Sequence, residues 1–192
     1  MEHERGHTVP ELLAGLALLA VLSWQTAGVA EAAMRRASLI AAASELRSVF
    51  EQVRMEAIGR DAGLGIKFRY ARSTWTWSVY EDADGDGVRN DDIRDGVDRE
   101  LQGPRGLRHH PVAIGVAGLA VRDPFDPRAL LSSRPAVRFD EPTLCAFSPQ
   151  GEATNGSVVL TDGTRAAILR VDAASGRVDV YTWNGSRWRA GE

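Results

Sequence analysis

The sequence lacks most of the features on which enzyme and nucleic-acid assignments rest. It has one cysteine, Cys145, so no disulfide can form within the chain, and we expect this thiol to be a small buried side chain. The formal net charge of −3 offers no basic excess for nucleic acid. A glycine-rich phosphate loop, a Gly-x-Ser-x-Gly motif and zinc-type Cys/His spacing are all missing from the sequence. We therefore expect a protein that is not an enzyme and has no organic cofactor.

Proline is missing between residues 11 and 103, which leaves room for a long uninterrupted helix. Residues 12–30 form a nearly apolar run of 19 residues, close to the ~20 that a membrane-spanning helix needs. One acid, Glu11, stands at the start of this run. A carboxylate at the centre of a bilayer costs roughly 2.5–3.5 kcal/mol, and less near an end, so an acid kept here indicates a function or a partner.

The helical pattern continues beyond residue 30 with a single apolar stripe. Its members recur at steps of three and four: Leu39, Ala42, Leu46, Val49, Val53 and Ala57, widened by Phe50 and Ile58. The pattern predicts one helix from about residue 8 to about residue 60, roughly 75 Å long at 1.5 Å per residue. We expect its amphipathic half, residues 31–60, to pack against the protein's own sheet.

From Leu64 onward the pattern changes to the period of two that is typical of strands. Trp75, Trp77 and Val79 alternate within residues 73–80 and share one face. Further strands are predicted at 64–70, 112–121, 136–139, 143–147, 156–161, 166–171 and 176–183, with a proline-containing loop at 122–135. The turn signals Asp162-Gly163, Ser175-Gly176 and Asn184-Gly185 predict a C-terminal antiparallel meander. The fold class is therefore α+β, with a long N-terminal helix on an antiparallel sheet.

The start of the chain resembles a known processing site. Gly6, Thr8, Glu11 and Leu12 are similar to the site in type IV pilins and type II secretion pseudopilins. This resemblance implies that a prepilin peptidase cuts between Gly6 and His7 and methylates the new N-terminus at His7. It also implies that Glu11 meets the N-terminal amine of a neighbouring subunit during assembly.

A second resemblance lies near the C-terminus, in segments 147–151, 156–160 and 175–180, which read FSPQG, GSVVL and SGRVDV. They are similar to the GspH/FimT family of minor pilins and pseudopilins. The resemblances imply a subunit of a type II secretion pseudopilus or a type IV pilus, single-pass in the bacterial inner membrane with its domain in the periplasm. Its partners would be other pilin or pseudopilin subunits and the prepilin peptidase. The implied parts are a leader (1–6), a transmembrane half-helix (7–30), an amphipathic half-helix (31–60) and a β-rich domain (61–192).

Other interpretations of these segments stay open. Arg5, the apolar run and residues 27–30 also fit a secretory signal peptide, although Glu11 argues against it, and the run alone fits a plain membrane anchor. Flanking charges taken alone, with Arg35 and Arg36 after the run, favour the reverse orientation. FimT-type members are linked to DNA uptake, so DNA is an alternative partner. The residues available for it are Arg165, Arg170, Arg177, Arg187 and Arg189, with Trp183 and Trp188 to stack on bases.

An acidic segment suggests a calcium site. Residues 81–100 contain nine acids and three arginines, and the alternating acids Asp82, Asp84 and Asp86 are followed by Gly87, as in the first half of an EF-hand loop. In that geometry the carbonyl of Val88 is a further ligand. Position twelve is Ile93 instead of glutamate, so Asp91 or Asp92 would close the site. A solvated acidic turn without metal is the alternative.

Overall fold

The computed structural model describes residues 9–116 and 120–191, and within them it leaves aside the side chains of Glu11 and of residues 19–27. The chain divides into two compact units, residues 1–37 and 38–192. Helix α1 spans Val9–Arg60, so its first part belongs to one unit and its second part to the other. These bounds confirm the predicted helix.

In the first unit the described apolar side chains of α1 are exposed. Leu12, Leu13, Leu16 and Leu18 are 58%, 62%, 63% and 65% exposed. The sequence predicted a membrane span over residues 7–30, whereas a search of the described residues yields no helix with the length and apolar character needed to cross a bilayer. Gly6 and His7 lie outside the described residues, and Glu11 belongs to α1 without a described side chain.

Helix α1 ends in a Schellman motif instead of at a glycine. The Ala62 N–H donates to the carbonyl of Ala57, and the Asp61 N–H donates to the carbonyl of Ile58. Asp61 has φ of 52°, the left-handed conformation that usually belongs to glycine at this position. The chain therefore turns sharply after Arg60 and enters the first strand at Leu64.

Within the described residues ten strands follow, with two short helices between them. The strands are β1 (Leu64–Ala71), β2 (Thr74–Glu81), β3 (Arg99–Arg105), β4 (Ala113–Ile114), β5 (Val137–Phe139), β6 (Leu144–Phe147), β7 (Gly156–Thr161), β8 (Ala166–Val171), β9 (Val178–Trp183) and β10 (Trp188–Ala190). Helix α2 spans Asn90–Asp95, and a single 3-10 turn spans Leu131–Ser133.

The strands form two antiparallel sheets. One sheet has the order β3-β2-β1-β6, and the other has the order β10-β9-β8-β7-β4, with β5 also paired to β7. The consecutive pairing of β7, β8, β9 and β10 confirms the predicted C-terminal meander. In the first sheet Glu81 pairs with Arg99 at the end of the β2–β3 ladder.

The main core lies between the second part of α1 and the sheets. Its helix side consists of Leu39, Ala42, Ala43, Leu46, Phe50, Val53 and Ala57, each at most 2% exposed. Phe50 contacts Phe68, Phe139 and Phe147, with ring centroids 6.1, 6.3 and 6.4 Å apart. The predicted packing of the apolar stripe on the sheet is thus confirmed. Trp77 and Val79 also face this core, and Trp75 is partly buried against it.

Two predictions about the domain are corrected. Ile58 is 39% exposed and does not belong to the buried stripe. The strand predicted at 112–121 is limited to Ala113–Ile114 among the described residues. Strands β3 and β10 and helix α2 were not predicted. Strand β3 contains Gly103 and Pro104, which are rare in strands but tolerated at a sheet edge, where β3 lies.

Candidate functional site

The acidic loop between β2 and β3 is organised around Asp82. Its Oδ1 accepts hydrogen bonds from the N–H groups of Asp84 (3.2 Å) and Gly85 (2.8 Å), and its Oδ2 accepts one from Gly87 (2.9 Å). Gly85 and Gly87 have φ of 87° and 94°, which a side chain would make costly. The loop therefore folds back on the first of its acids.

The environment of Asp82 lowers its pKa. Partial burial by itself would raise the pKa, but the hydrogen bonds from the backbone of Gly85, Gly87 and Asp84 stabilise the carboxylate and outweigh that effect. Asp82 is thus held as an anion in a fixed position.

The loop brings three of the predicted metal ligands together. One carboxylate oxygen from each of Asp82, Asp84 and Asp86 lies within 4.8 Å of the others. Asp84 and Asp86 are exposed, and Asp86 forms an ion pair with Arg89. Carboxylate oxygens grouped in this way match the donor set of a hard cation such as Ca²⁺.

The other predicted ligands lie differently. The Asp91 carboxylate pairs with Arg94 at 2.8 Å and is 76% exposed, and neither Asp91 nor Asp92 belongs to the group of three. The Val88 side chain is 3% exposed and packs with Tyr80, Ile93 and Leu144 in a small core of its own. Val88 therefore anchors the loop to the sheet.

Sequence reasoning missed one acid of this region, Asp98. It is 5% exposed, its Oδ2 accepts the Arg89 N–H at 3.1 Å, and its Oδ1 has no hydrogen-bond partner among the described residues. Burial raises the pKa of Asp98, the hydrogen bonds from Arg89 and Ala83 lower it, and the charges of Asp92 and Asp82 raise it further, with a net increase. Asp98 directly precedes β3, a strand that the sequence pattern does not predict, so the pattern does not single out this acid.

The loop forms one side of a groove of 920 Å³. The opposite side includes Ser148 and Pro149 of the segment 147–151. Six acids line the groove against one basic residue, Arg89; they are Asp61, Asp82, Asp84, Asp86, Glu141 and Glu152. The groove is therefore strongly acidic.

Two of the three C-terminal segments singled out in the sequence meet on helix α1. The Arg54 Nε donates to the carbonyl of Gly151 at 3.0 Å. A Cβ at Gly176 would lie 2.2 Å from that carbonyl oxygen and 2.6 Å from the Arg54 Nε. Both glycines have positive φ, 84° and 61°. These glycines therefore allow a close approach of two turns to the helix, in addition to forming the turns.

The same stretch of chain matches a protein-family model, described as type II transport protein GspH, over residues 42–176. The chain belongs to the GspH family. The match begins in the buried stripe of α1 and ends at Gly176, so it covers the helix–sheet core, the acidic loop and the Arg54 contact. Comparisons with curated proteins and with solved structures yield no match.

Membership in the GspH family determines the general function. Proteins of this family are minor pseudopilins of type II secretion, which are structural subunits. They assemble with other pseudopilins and are in general anchored in the inner membrane.

In this GspH-family chain four of the residues suggested for DNA binding already contact other side chains; they are Arg170, Arg177, Trp183 and Trp188. The Arg170 guanidinium lies over the Phe125 ring at 4.3 Å, and Arg177 pairs with Asp179 at 2.9 Å. Trp183 and Trp188 pack on each other with centroids 5.6 Å apart. Arg187 and Arg189 are exposed, and Arg165 lies at the end of the turn that leads into β8. A base would therefore have to displace existing ring contacts to stack here.

Proposed function

We propose that this chain is a minor pseudopilin that is inserted in the bacterial inner membrane through residues 7–30, trimmed after Gly6 and assembled with other pseudopilins. The observation that carries the proposal is the family match over residues 42–176. The exposed leucines of the first unit, from Leu12 to Leu18, support it, because such a surface is stable when lipid or neighbouring helices cover it. The domain then stands on the periplasmic side.

Glu11 is the proposed assembly contact. Trimming after Gly6 creates a positive amine on His7, four positions before the acid. In an apolar environment opposite charges attract far more strongly than in water, and an unpaired carboxylate is costly. Glu11 of one subunit and the His7 amine of the next therefore satisfy each other when the helices pack side by side.

Mass analysis of the N-terminus tests the processing step. The full chain is expressed with a prepilin peptidase and extracted from membranes, and we expect a mature form that begins at His7 with one added methyl group. Gly6→Val should block cleavage, whereas the matched control Gly15→Val, which changes a glycine with no atom within 4 Å of its missing Cβ, should be trimmed normally. A chain that still begins at Met1, or that has lost everything up to Ala30, would refute the proposal.

Incorporation into pseudopili tests the role of Glu11 separately. Glu11→Ala should reach the membrane in normal amount but be depleted from sheared pseudopili. Glu31→Ala is the matched control, since Glu31 is an acid of the same helix whose carboxylate pairs with Arg35 at 2.8 Å within its own chain. Equal incorporation of both variants would remove the proposed contact.

DNA binding as in FimT-type proteins stays a prediction of the sequence. A mobility-shift assay over a series of salt concentrations tests it, because phosphate contacts give an affinity that falls steeply with salt. Replacement of Arg187 and Arg189 by Ala should then weaken binding.

A further inference from the structure

A buried acid, Asp98, lies near the acidic loop, and the hydrogen bonds of the described residues do not satisfy both of its carboxylate oxygens. Asp98 is 5% exposed, and its carboxylate accepts backbone hydrogen bonds from Arg89, at Oδ2, and from Ala83. Its Oδ1 has no partner within residues 9–116 and 120–191. A buried carboxylate is expensive unless hydrogen bonds or a cation compensate it, so this oxygen calls for an explanation.

Asp98 and the first acid of the loop, Asp82, both adjoin the last residue pair of the β2–β3 ladder. Glu81 and Arg99 are partners at the end of the β2–β3 ladder, so Asp82 and Asp98 are the next residues on either side. Apart from burial, the charges of Asp92 and Asp82 raise the pKa of Asp98, whose carboxylate is therefore close to the root of the loop.

The arginines of this region are engaged elsewhere. Arg89 pairs with Asp86, Arg94 pairs with Asp91 and Asp95, and Arg99 pairs with Glu81. Among the ion pairs of the described residues, none involves Asp98 or Asp82. The cation that would balance these two carboxylates is thus not supplied by a side chain of the loop.

We propose that Asp82, Asp84, Asp86 and Asp98 together bind one Ca²⁺, with Asp98 as the ligand that closes the site. The inference is independent of the proposed function, because it rests on the domain alone. Ca²⁺ accepts six to eight oxygens at about 2.3–2.6 Å in a flexible arrangement, whereas Mg²⁺ requires a small octahedron. Asp82 accepts two N–H bonds at Oδ1 and one at Oδ2, so Oδ2 keeps a lone pair for a metal.

Binding requires a small closure of the loop. Asp98 does not belong to the group of oxygens that lie within 4.8 Å of one another, and Asp86 is paired with Arg89. The cation therefore draws Asp86 away from Arg89 and brings the loop toward Asp98. Bound Ca²⁺ thereby rigidifies the loop between β2 and β3, which forms the acidic side of the groove.

Calorimetric titration and thermal unfolding of the full chain in detergent test the proposal, with CaCl2 against MgCl2 and EDTA. We expect a dissociation constant of about 10⁻⁴ to 10⁻³ M, the range of extracellular calcium modules, and a rise in Tm with Ca²⁺ that Mg²⁺ does not reproduce. The double variant Asp84→Asn/Asp86→Asn should lose both effects. Asp95→Asn, an exposed acid paired with Arg94, is the control and should bind as the wild type does.

Asp98→Asn separates a ligand from a merely structural residue. We expect its affinity for Ca²⁺ to fall at least about tenfold, because the charge of the ligand set controls affinity. Without Ca²⁺ its Tm should equal or exceed that of the wild type, because a neutral amide replaces a buried charge and still accepts the Arg89 N–H. Wild-type Ca²⁺ affinity in Asp98→Asn would overturn the proposal, as would the absence of any calcium effect in the wild type.

Hydrogen exchange on the unmodified chain decides the matter if Asp98→Asn does not fold. Ca²⁺ should slow exchange in residues 82–89 and 97–99 together. Protection restricted to residues 82–92, combined with loss of binding in Asp91→Asn/Asp92→Asn, would instead assign closure to those two acids and refute the role of Asp98.

Discussion

Replacement of Gly176 by alanine should destabilise the domain more than the same change at a comparable turn. Gly176 has φ of 61°, and its Cβ would lie 2.2 Å from the Gly151 carbonyl oxygen and 2.6 Å from the Arg54 Nε. Contacts this short force the turn or the arginine to move. Either movement breaks the 3.0 Å hydrogen bond from Arg54 to Gly151.

Gly163→Ala provides the matched control. Gly163 also has positive φ, 90°, in the turn between β7 and β8, but nothing lies within 4 Å of its missing Cβ. Both variants share the cost of a left-handed alanine, about 1–2 kcal/mol, and the same partial gain from a less flexible unfolded chain. Only Gly176→Ala also loses a hydrogen bond from a charged donor, about 1.5–3 kcal/mol. The difference between the two variants should therefore be about 1.5–3 kcal/mol.

Urea unfolding of the full chain in detergent, followed by tryptophan fluorescence, measures this difference. Arg54→Ala removes the same hydrogen bond, so the double variant Arg54→Ala/Gly176→Ala should lose less stability than the sum of the single variants. If Gly176→Ala costs no more than Gly163→Ala, or if the double variant is fully additive, the close approach of the two turns to α1 does not contribute as described.

Two further variants test the core and a turn. Phe50→Ala removes a ring that is 0% exposed and contacts three other phenylalanines, so it should lower the free energy of unfolding in urea by about 3–5 kcal/mol. The control Met55→Ala changes a side chain of the same helix that is 60% exposed, and should change the free energy of unfolding by no more than about 0.5 kcal/mol. Similar losses for the two variants would contradict the assigned core. Asp162 has a lowered pKa because, although burial by itself raises it, the hydrogen bonds from Thr164 and Arg165 outweigh that effect. Its charge therefore adds stability above the ordinary pKa of 3.8, and this stability is lost as the pH falls through the lower folded value. The urea midpoint of the wild type should thus exceed that of Asp162→Asn at neutral pH and converge with it on acidification, and a gap that persists in acid would refute this origin.

The parts of the fold that sequence patterns predicted are those governed by local periodicity. Helix α1 and strands β7 and β8 were predicted within a residue at each end, because unbroken 3.6 and 2.0 periods and glycine turns are local signals. The sequence pattern does not predict strand β3, because the strand contains Gly103 and Pro104 and both residue types are rare in strands. They are tolerated here because β3 lies at the edge of its sheet. Ile58 was assigned to the buried stripe because the period alone does not define how wide a face the sheets cover.

In the candidate site, too, local sequence patterns predict some features, whereas others depend on the tertiary structure. The spacing of Asp82, Asp84 and Asp86 was enough to predict that their carboxylates converge, because a loop of five residues brings them together by itself. An EF-hand pattern counts along the chain and therefore indicates Asp91 or Asp92 as the closing ligand. Asp98 comes beside Asp82 through a strand pairing, which no count along the chain reveals.

The sequence alone determined the helix, the sequential C-terminal sheet and the family, since each depends on patterns between near neighbours in the chain. The tertiary structure decided which charges are buried and which glycines carry close contacts. Asp98 near Asp82, just beyond the last pair of the β2–β3 ladder, and Gly176 against Gly151 and Arg54 bring together residues that are distant in the chain. Burial and pairing of such residues depend on how separate elements pack, and this packing is a property of the whole domain.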